Sequence, residues 1–306
     1  MRRGDDSVAT AASPAQHALR GGTLSGLAAI VLWSALAVLT TATDGLPPFQ
    51  VLATTFAIAG LAGTCWAFAR GRAGLAGLRQ PAAALALSTA ALFGYHALYF
   101  IALKRAPAVE ANLINYLWPL LIVLFAGLLP GTRVGWRQIG GALLGLCGAV
   151  LLVTRSERLG LDPAYAPGYL AAAAAAVTWA AYSVLNRRYA GVPSSALAGS
   201  CLLVAAAGAA AHGLFESFVM PTPMQWAVLL VMGLGPVGAA FLLWDRGTKH
   251  GDIALLGALS YAAPLLSTLL LLVFGAARPH WTQAVAFVVL LAGAWLGTRG
   301  GRSVEG

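Results

Sequence analysis

The side chains with chemical potential in this sequence are aromatic and amide groups set inside apolar runs. Trp33 and Trp179 each fall about ten to thirteen residues into such a run, and Tyr95, His96 and Tyr99 sit together in another. Asn112, Asn115, Tyr116, Trp118 and Pro119 lie in the stretch NLINYLWPLL, from Asn112 to Leu121. Tyr182 and Ser183 follow Trp179, and Tyr261 and Pro264 occupy the stretch GALSYAAPLL, from Gly257 to Leu266. These groups suit non-covalent recognition. Indole and phenol rings stack on an aromatic solute or face an organic cation. Asn, Tyr and His offer hydrogen bonds to an ammonium or a carboxylate. Covalent chemistry is poorly served: there is no G-x-S-G-like turn pairing a serine with a histidine, and no H-E-x-x-H. An intramembrane enzyme is therefore the remote alternative. Cys65, Cys147 and Cys201 all lie in apolar segments without disulfide or metal-ligand spacing, so neither a metal nor a cofactor is expected.

The runs that carry these residues define the class. Of 306 residues, 59% are hydrophobic and 9% charged, with mean hydropathy +0.78. A soluble domain carries roughly 25% charged residues, so the expectation is an all-α integral membrane protein embedded in a lipid bilayer. Ten segments are long and apolar enough to span one: 23–43, 47–69, 81–103, 107–129, 136–153, 166–187, 195–216, 223–244, 253–275 and 281–298. Helices are required because lipid offers the backbone no hydrogen-bond partner.

The segments form two sets of five. An offset of 145 residues carries Lys104 onto Lys249, Tyr116 onto Tyr261, Pro119 onto Pro264, Trp136 onto Trp281 and Gly148 onto Gly293. Trp33 meets Trp179 at an offset of 146. The expected organisation is a disordered tail over 1–20, five-helix repeats over 21–155 and 156–300, and a short tail over 301–306. Counting Lys and Arg by side gives fourteen on the side of both termini and five on the other. The positive-inside rule then puts both termini in the cytoplasm, and an odd number of spans per repeat makes the repeats inverted. The net charge of +9 is scattered through short gaps, as topology signals are, so no nucleic-acid partner is expected. Inverted repeats with proline-interrupted spans at matching places point to a carrier working by alternating access, with its binding site at the interruptions.

On a straight fourth helix Asn112, Asn115, Tyr116 and Pro119 share one face, lining a pathway or joining helices by hydrogen bonds. His96 is an ionisable group at membrane depth, a candidate proton carrier or carboxylate donor. Pro119, Pro264 and Pro236 are expected helix kinks. Glu110, one turn after Pro107, complements a helix dipole, and Asp245 ends the eighth helix at the cytoplasmic face. No Lys, Arg, Asp or Glu is expected deep in the cavity. Gly141-x-x-x-Gly145 and Gly293-x-x-x-Gly297 mark close helix contacts, within or between subunits.

The passages GYHALYFIAL (Gly94–Leu103) and ALKRAPAVEANLINYLWPLL (Ala102–Leu121), within ten spans arranged as five plus five, resemble the drug/metabolite transporter superfamily and its EamA-type permeases. The pentapeptide NYLWP (Asn115–Pro119) resembles the bacterial YddG-like aromatic amino acid exporters. That resemblance implies export of aromatic amino acids, and of aromatic cations, across the bacterial inner (plasma) membrane. Uncoupled facilitated diffusion is one expectation, and a broad-specificity exporter driven by proton antiport is the alternative. The oligomeric state stays open, and a monomer is compatible with the sequence.

Overall fold

A computed structural model describes residues 13–132, 134–154, 162–274 and 279–298. Ten helical spans cross the fold: α1 Gln16–Thr41, α2 Pro48–Ala69, α3 Ala82–Arg105, α4 Ala108–Ala126, α5 Trp136–Thr154, α6 Pro163–Tyr189, α7 Ser194–Phe215, α8 Pro223–His250, α9 Ile253–Val273 and α10 Trp281–Thr298. No strand occurs among the described residues. The first helix starts earlier than the sequence suggested. It begins at Pro14, where Ser13 accepts from the Gln16 amide and Gln16 accepts from the Ser13 amide, a capping box with proline at the first turn. Residues 14–20 are therefore helical, not an unstructured tail; residues 1–12 and 301–306 lie outside the described residues.

The spans pair across the two halves. The strongest pairings are α1 with α8, α3 with α6, α2 with α7 and α5 with α10, while α4 packs on α6 and α9 on α1, and α4 and α9 also meet each other. Shifting every index by five exchanges α1–α8 with α3–α6 and α4–α6 with α9–α1, and returns each of the others to itself, so the two halves are related as inverted repeats. Pro14 and Thr298 lie at one end of the bundle, called here the terminal end. Ridges of exposed Leu, Val, Phe and Trp cover the outer surface, including Leu24, Phe68, Val288 and Leu291. Such a surface is stable only against hydrocarbon.

Glycine sets the closest helix approaches. A Cβ at Gly141 on α5 would stand 2.6 Å from the Gly293 carbonyl and 2.7 Å from the Gly297 nitrogen on α10. The two glycine motifs therefore meet each other within one chain. A Cβ at Gly22 would meet the Gly251 nitrogen at 2.5 Å, bringing α1 against the end of α8. Membrane helices lack a hydrophobic drive toward one another, so close van der Waals packing of this kind carries the association.

Buried polar groups close the terminal end. Asp245 is 2% exposed and Lys249 is 6% exposed, and their Oδ2 and Nζ atoms are 2.8 Å apart. Asn186 Nδ2 donates to Asp245 Oδ1 at 2.8 Å and to Thr248 Oγ1 at 3.1 Å. Lys249 also donates to the Val192 carbonyl at 3.0 Å. Arg187 donates to the Thr248 and Gly251 carbonyls, each at 2.8 Å. α8 thus runs on past Trp244 to His250, so Asp245 lies within the helix rather than at its end, and it is buried. At the far end, Glu216 accepts from the Phe49 and Gln50 amides at 3.1 and 3.2 Å, capping α2 from the end of α7. His212 contacts the same carboxylate at 2.9 Å.

Two stability outcomes follow. Gly141→Leu is expected to lower the thermal unfolding midpoint in detergent sharply, since overpacking against backbone costs about 1–3 kcal/mol or more. Gly94→Ala, where nothing lies within 4 Å, leaves the midpoint unchanged or slightly higher. Lys249→Met strands a buried carboxylate at a cost of about 3–5 kcal/mol, whereas Asp245→Leu combined with Lys249→Met recovers most of the loss. A midpoint for Lys249→Met equal to that of the double variant would count against this account.

Candidate functional site

Three prolines interrupt the spans that surround the centre of the bundle. α4 is two helices, Ala108–Asn115 and Trp118–Ala126, with the break at Tyr116 and Leu117. α9 breaks at the equivalent place, between Ile253–Leu259 and Ala262–Val273. In α8 the segment Gly233–Ala239, with Pro236 inside it, is a π-helix. Proline removes an N–H and so leaves a carbonyl without its ladder partner. Side chains from elsewhere bond carbonyls at these points. Tyr261 Oη donates to the Tyr116 carbonyl at 2.9 Å, and Trp33 Nε1 donates to the Pro236 carbonyl at 3.0 Å.

Around these interruptions the aromatic rings converge. Trp33 lies 5.6 Å from Trp179 and 5.1 Å from Trp244, centroid to centroid. Trp179 reaches Tyr95 at 5.4 Å, Tyr182 at 5.6 Å, Phe241 at 5.7 Å and Trp118 at 6.5 Å. His96 packs edge-on between Phe56 at 5.4 Å and Phe241 at 6.1 Å. One cluster therefore draws on α1, α2, α3, α4, α6 and α8, from both repeats. Edge-to-face pairs at these separations each contribute roughly 0.5–1.5 kcal/mol beyond the area they bury.

Hydrogen bonds orient the rings. Trp244 Nε1 donates to Ser183 Oγ at 3.1 Å, and Ser183 Oγ donates to the Trp179 carbonyl at 2.9 Å. His96 Nδ1 contacts the Leu92 carbonyl at 2.7 Å; only a protonated nitrogen can donate there, so in the neutral ring Nε2 is the acceptor. Tyr99 Oη donates to Asn112 Oδ1. Asn115 Nδ2 donates to Tyr95 Oη at 3.2 Å, while Asn115 Oδ1 is buried without a partner. Turning the amide over would only exchange the orphan acceptor for an orphan donor, so either way one polar atom of this side chain is left for a ligand.

Exposure along the interior is graded. Trp244, Tyr182, Asp245 and Asn186 are all buried toward the terminal end. Tyr95, His96, Tyr99, Phe100 and Asn112 are half-buried toward the far end. The interior is thus packed more tightly toward the terminal end than toward the other.

The structure thus brings together Trp33, Tyr95, His96, Trp118, Trp179 and Tyr182, with Tyr99, Asn112 and Asn115 at the rim. Three others take different places. Tyr116 and Tyr261 belong to a second cluster with Val123 and Leu265, not to the tryptophan group, and a Cβ on Gly145 would stand 2.4 Å from the Tyr261 ring. Asn112 and Asn115 do share a face, meeting Tyr99 and Tyr95 of α3, but the helix breaks between Asn115 and Trp118, so that face does not continue in register to Pro119. Ser183 is fully buried with its hydroxyl engaged, so it supports two indoles rather than meeting a solute.

Phe241 and Trp244 were not singled out from the sequence, yet the repeat offset held the signal: 96 + 145 = 241 and 99 + 145 = 244, which makes them the register mates of His96 and Tyr99. The pairing of Asp245 with Lys249 was not read either, although their spacing of four on a helix is an ion-pair signal. Charge does lie deep in the protein, but as this closed pair. Among the described residues no group of three or more His, Cys, Asp or Glu could hold a metal ion.

Comparison with known proteins agrees with this architecture. Residues 20–154 and 166–299 each match the model of the EamA-like transporter family. The aromatic amino acid exporter YddG of Ancylobacter novellus is 51% identical over 277 residues, covering 90% of this chain and 96% of its own. The aromatic amino acid exporter YddG of Escherichia coli is 28% identical over 299 residues, covering 91% and 98%. A solved crystal structure 49% identical in sequence superposes with a TM-score of 0.89, covering 94% of this chain and 99% of its own. With both halves matched over nearly its whole length, this ten-span chain belongs to the EamA-like transporter family.

Proposed function

We propose that this transporter exports aromatic amino acids across the bacterial inner membrane, with both termini in the cytoplasm, and that it does so by uncoupled facilitated diffusion through alternating access. The observation that carries the reading is the ring cluster of Trp33, Trp118, Trp179 and Trp244, with the Asn115 amide, one of whose polar atoms has no protein partner, bonded to Tyr95 at its edge. An aromatic side chain is accommodated among those rings. Its ammonium and carboxylate are met by Asn115, by His96 Nε2 and by the Tyr95 and Tyr99 hydroxyls. The curated relative at 51% identity bears the name of an aromatic amino acid exporter, which supports the same substrate class.

The two acids of the spans support the uncoupled form. Only Glu110 and Asp245 lie within them. Glu110 accepts from the Tyr169 hydroxyl, and Asp245 is held by Lys249 and Asn186. A carboxylate so engaged is not free to load and release a proton with each cycle. His96 has no acid beside it, which leaves it suited to hydrogen bonding within the site. An enzyme reading finds no nucleophile: Ser183, the serine nearest the cluster, donates to the Trp179 carbonyl on its own helix.

Reconstitution into proteoliposomes tests the proposal. Labelled tryptophan and phenylalanine are expected to equilibrate across the vesicle, while leucine moves far more slowly. Trp179→Ala is expected to reduce tryptophan flux about tenfold or more, with Trp179→Phe intermediate, in line with ring contacts of roughly 0.5–1.5 kcal/mol each and 1.4 kcal/mol per tenfold change. An imposed pH gradient is expected to leave the plateau unchanged. Gradient-driven accumulation would replace the uncoupled reading with proton antiport, and failure to move either aromatic amino acid would remove the substrate assignment.

A further inference from the structure

A second concavity lies outside the aromatic centre, in the membrane-facing wall formed by α2, α7 and α8. It is a groove of about 390 Å³ whose walls are mostly small residues, among them Ala62 and Gly63 on α2, Ala198 on α7, and Gly238 and Ala239 on α8. Its rim is formed by Trp66, Leu234 and Leu242, all exposed, so it opens sideways toward hydrocarbon. From Ala59 to Trp66 the α2 wall rises roughly 10 Å at about 1.5 Å per residue. The groove therefore runs from the terminal-end interface toward the middle of the span, where the π-helical segment of α8 closes it.

The lining selects an apolar occupant. Its one polar side chain, Ser195, donates its hydroxyl to the Gly77 carbonyl at 2.9 Å, so nothing inside the groove asks for a polar ligand. The interface end is different. The Arg70 guanidinium stands 4.6 Å from the centroid of the Trp66 ring, directly at the mouth, and Arg72 follows two residues on. Both are exposed, and neither is in a salt bridge among the described residues. An apolar channel of partial-bilayer length ending beneath unpaired arginines matches one kind of molecule: an acyl chain with an anionic headgroup. Arginine pairs with phosphate through its planar fork, and basic clusters beside a membrane span attract anionic lipid.

We infer that the α2–α7–α8 groove is a binding site for one anionic phospholipid of the terminal-end leaflet, with an acyl chain along Ala62, Ala198 and Ala239 and its phosphate on Arg70 and Arg72. The site is separate from the aromatic centre and does not depend on which solute is carried.

The test is native mass spectrometry of the protein released from vesicles of phosphatidylglycerol or of phosphatidylcholine. The wild type is expected to retain one phosphatidylglycerol per chain at about fivefold or greater occupancy over phosphatidylcholine. Arg70→Gln with Arg72→Gln reduces that ratio to about one, and Ala62→Phe, which fills the groove, removes retention of both lipids. Unfolding midpoints confirm that each variant is folded, and Ala239→Phe fills the same space from the α8 side should Ala62→Phe fail to fold. Equal retention of the two lipids by the wild type overturns the headgroup assignment. Undiminished phosphatidylglycerol on a folded groove-filled variant overturns the site.

Discussion

Everything in this protein is arranged around the requirement that no backbone polar group be left unpaired in hydrocarbon. Straight helices meet it without help. The central spans do not, because Pro119, Pro236 and Pro264 interrupt them, and the bundle answers by supplying side chains from the opposite repeat. Tyr261 of the second half bonds the Tyr116 carbonyl of the first. Trp33 of the first half bonds the Pro236 carbonyl of the second. Bonds to the irregular backbone thus also join the two halves.

The chemistry of the centre follows from its neighbours. Trp33 and Trp244 place their indole nitrogens on the Pro236 carbonyl and the Ser183 hydroxyl, which leaves their ring faces as the working surface. Asn115 is the exception, with a buried amide atom unmatched by the protein. A transporter gains from such an atom, since full satisfaction would hold the site in one state. The terminal end shows the opposite treatment: Asp245, Lys249, Asn186, Thr248 and Arg187 satisfy one another and nearby carbonyls, giving a closed end of well-matched polar contacts beside a centre that is deliberately incomplete.

How much of this was legible beforehand depended on the periodicity of each signal. The ten spans, their pairing into repeats and the positions of the three interruptions were all readable, because hydropathy and proline act locally. The convergence of Trp33 with Trp179 was readable from matched depth. The facing of Tyr116 and Tyr261 was not, because a helical wheel assumes an unbroken helix and the break between Asn115 and Trp118 rotates the register. The continuation of α8 to His250 and the burial of Asp245 were hidden by the drop in hydropathy that ends a predicted span, although burial of that polar turn is what a pairing of Asp245 with Lys249 permits. The helical start at Pro14 depended on a capping box that composition alone obscures.

The tyrosine bond at the crossing of α4 and α9 has a further consequence. Tyr116 and Tyr261 are equivalent under the repeat, yet only Tyr261 donates; among the described residues the Tyr116 hydroxyl makes no matching bond to the Tyr261 carbonyl. Two equivalent residues in inequivalent roles mean that the symmetry written in the chain is broken in the fold. The mirror arrangement, with donor and acceptor exchanged, loses one hydrogen bond and forms another of the same kind. The surroundings are not equal, however: the Tyr261 ring lies against Gly145, whose repeat mate is Leu290, so the crossing has room for one of the two rings and thereby fixes which tyrosine donates.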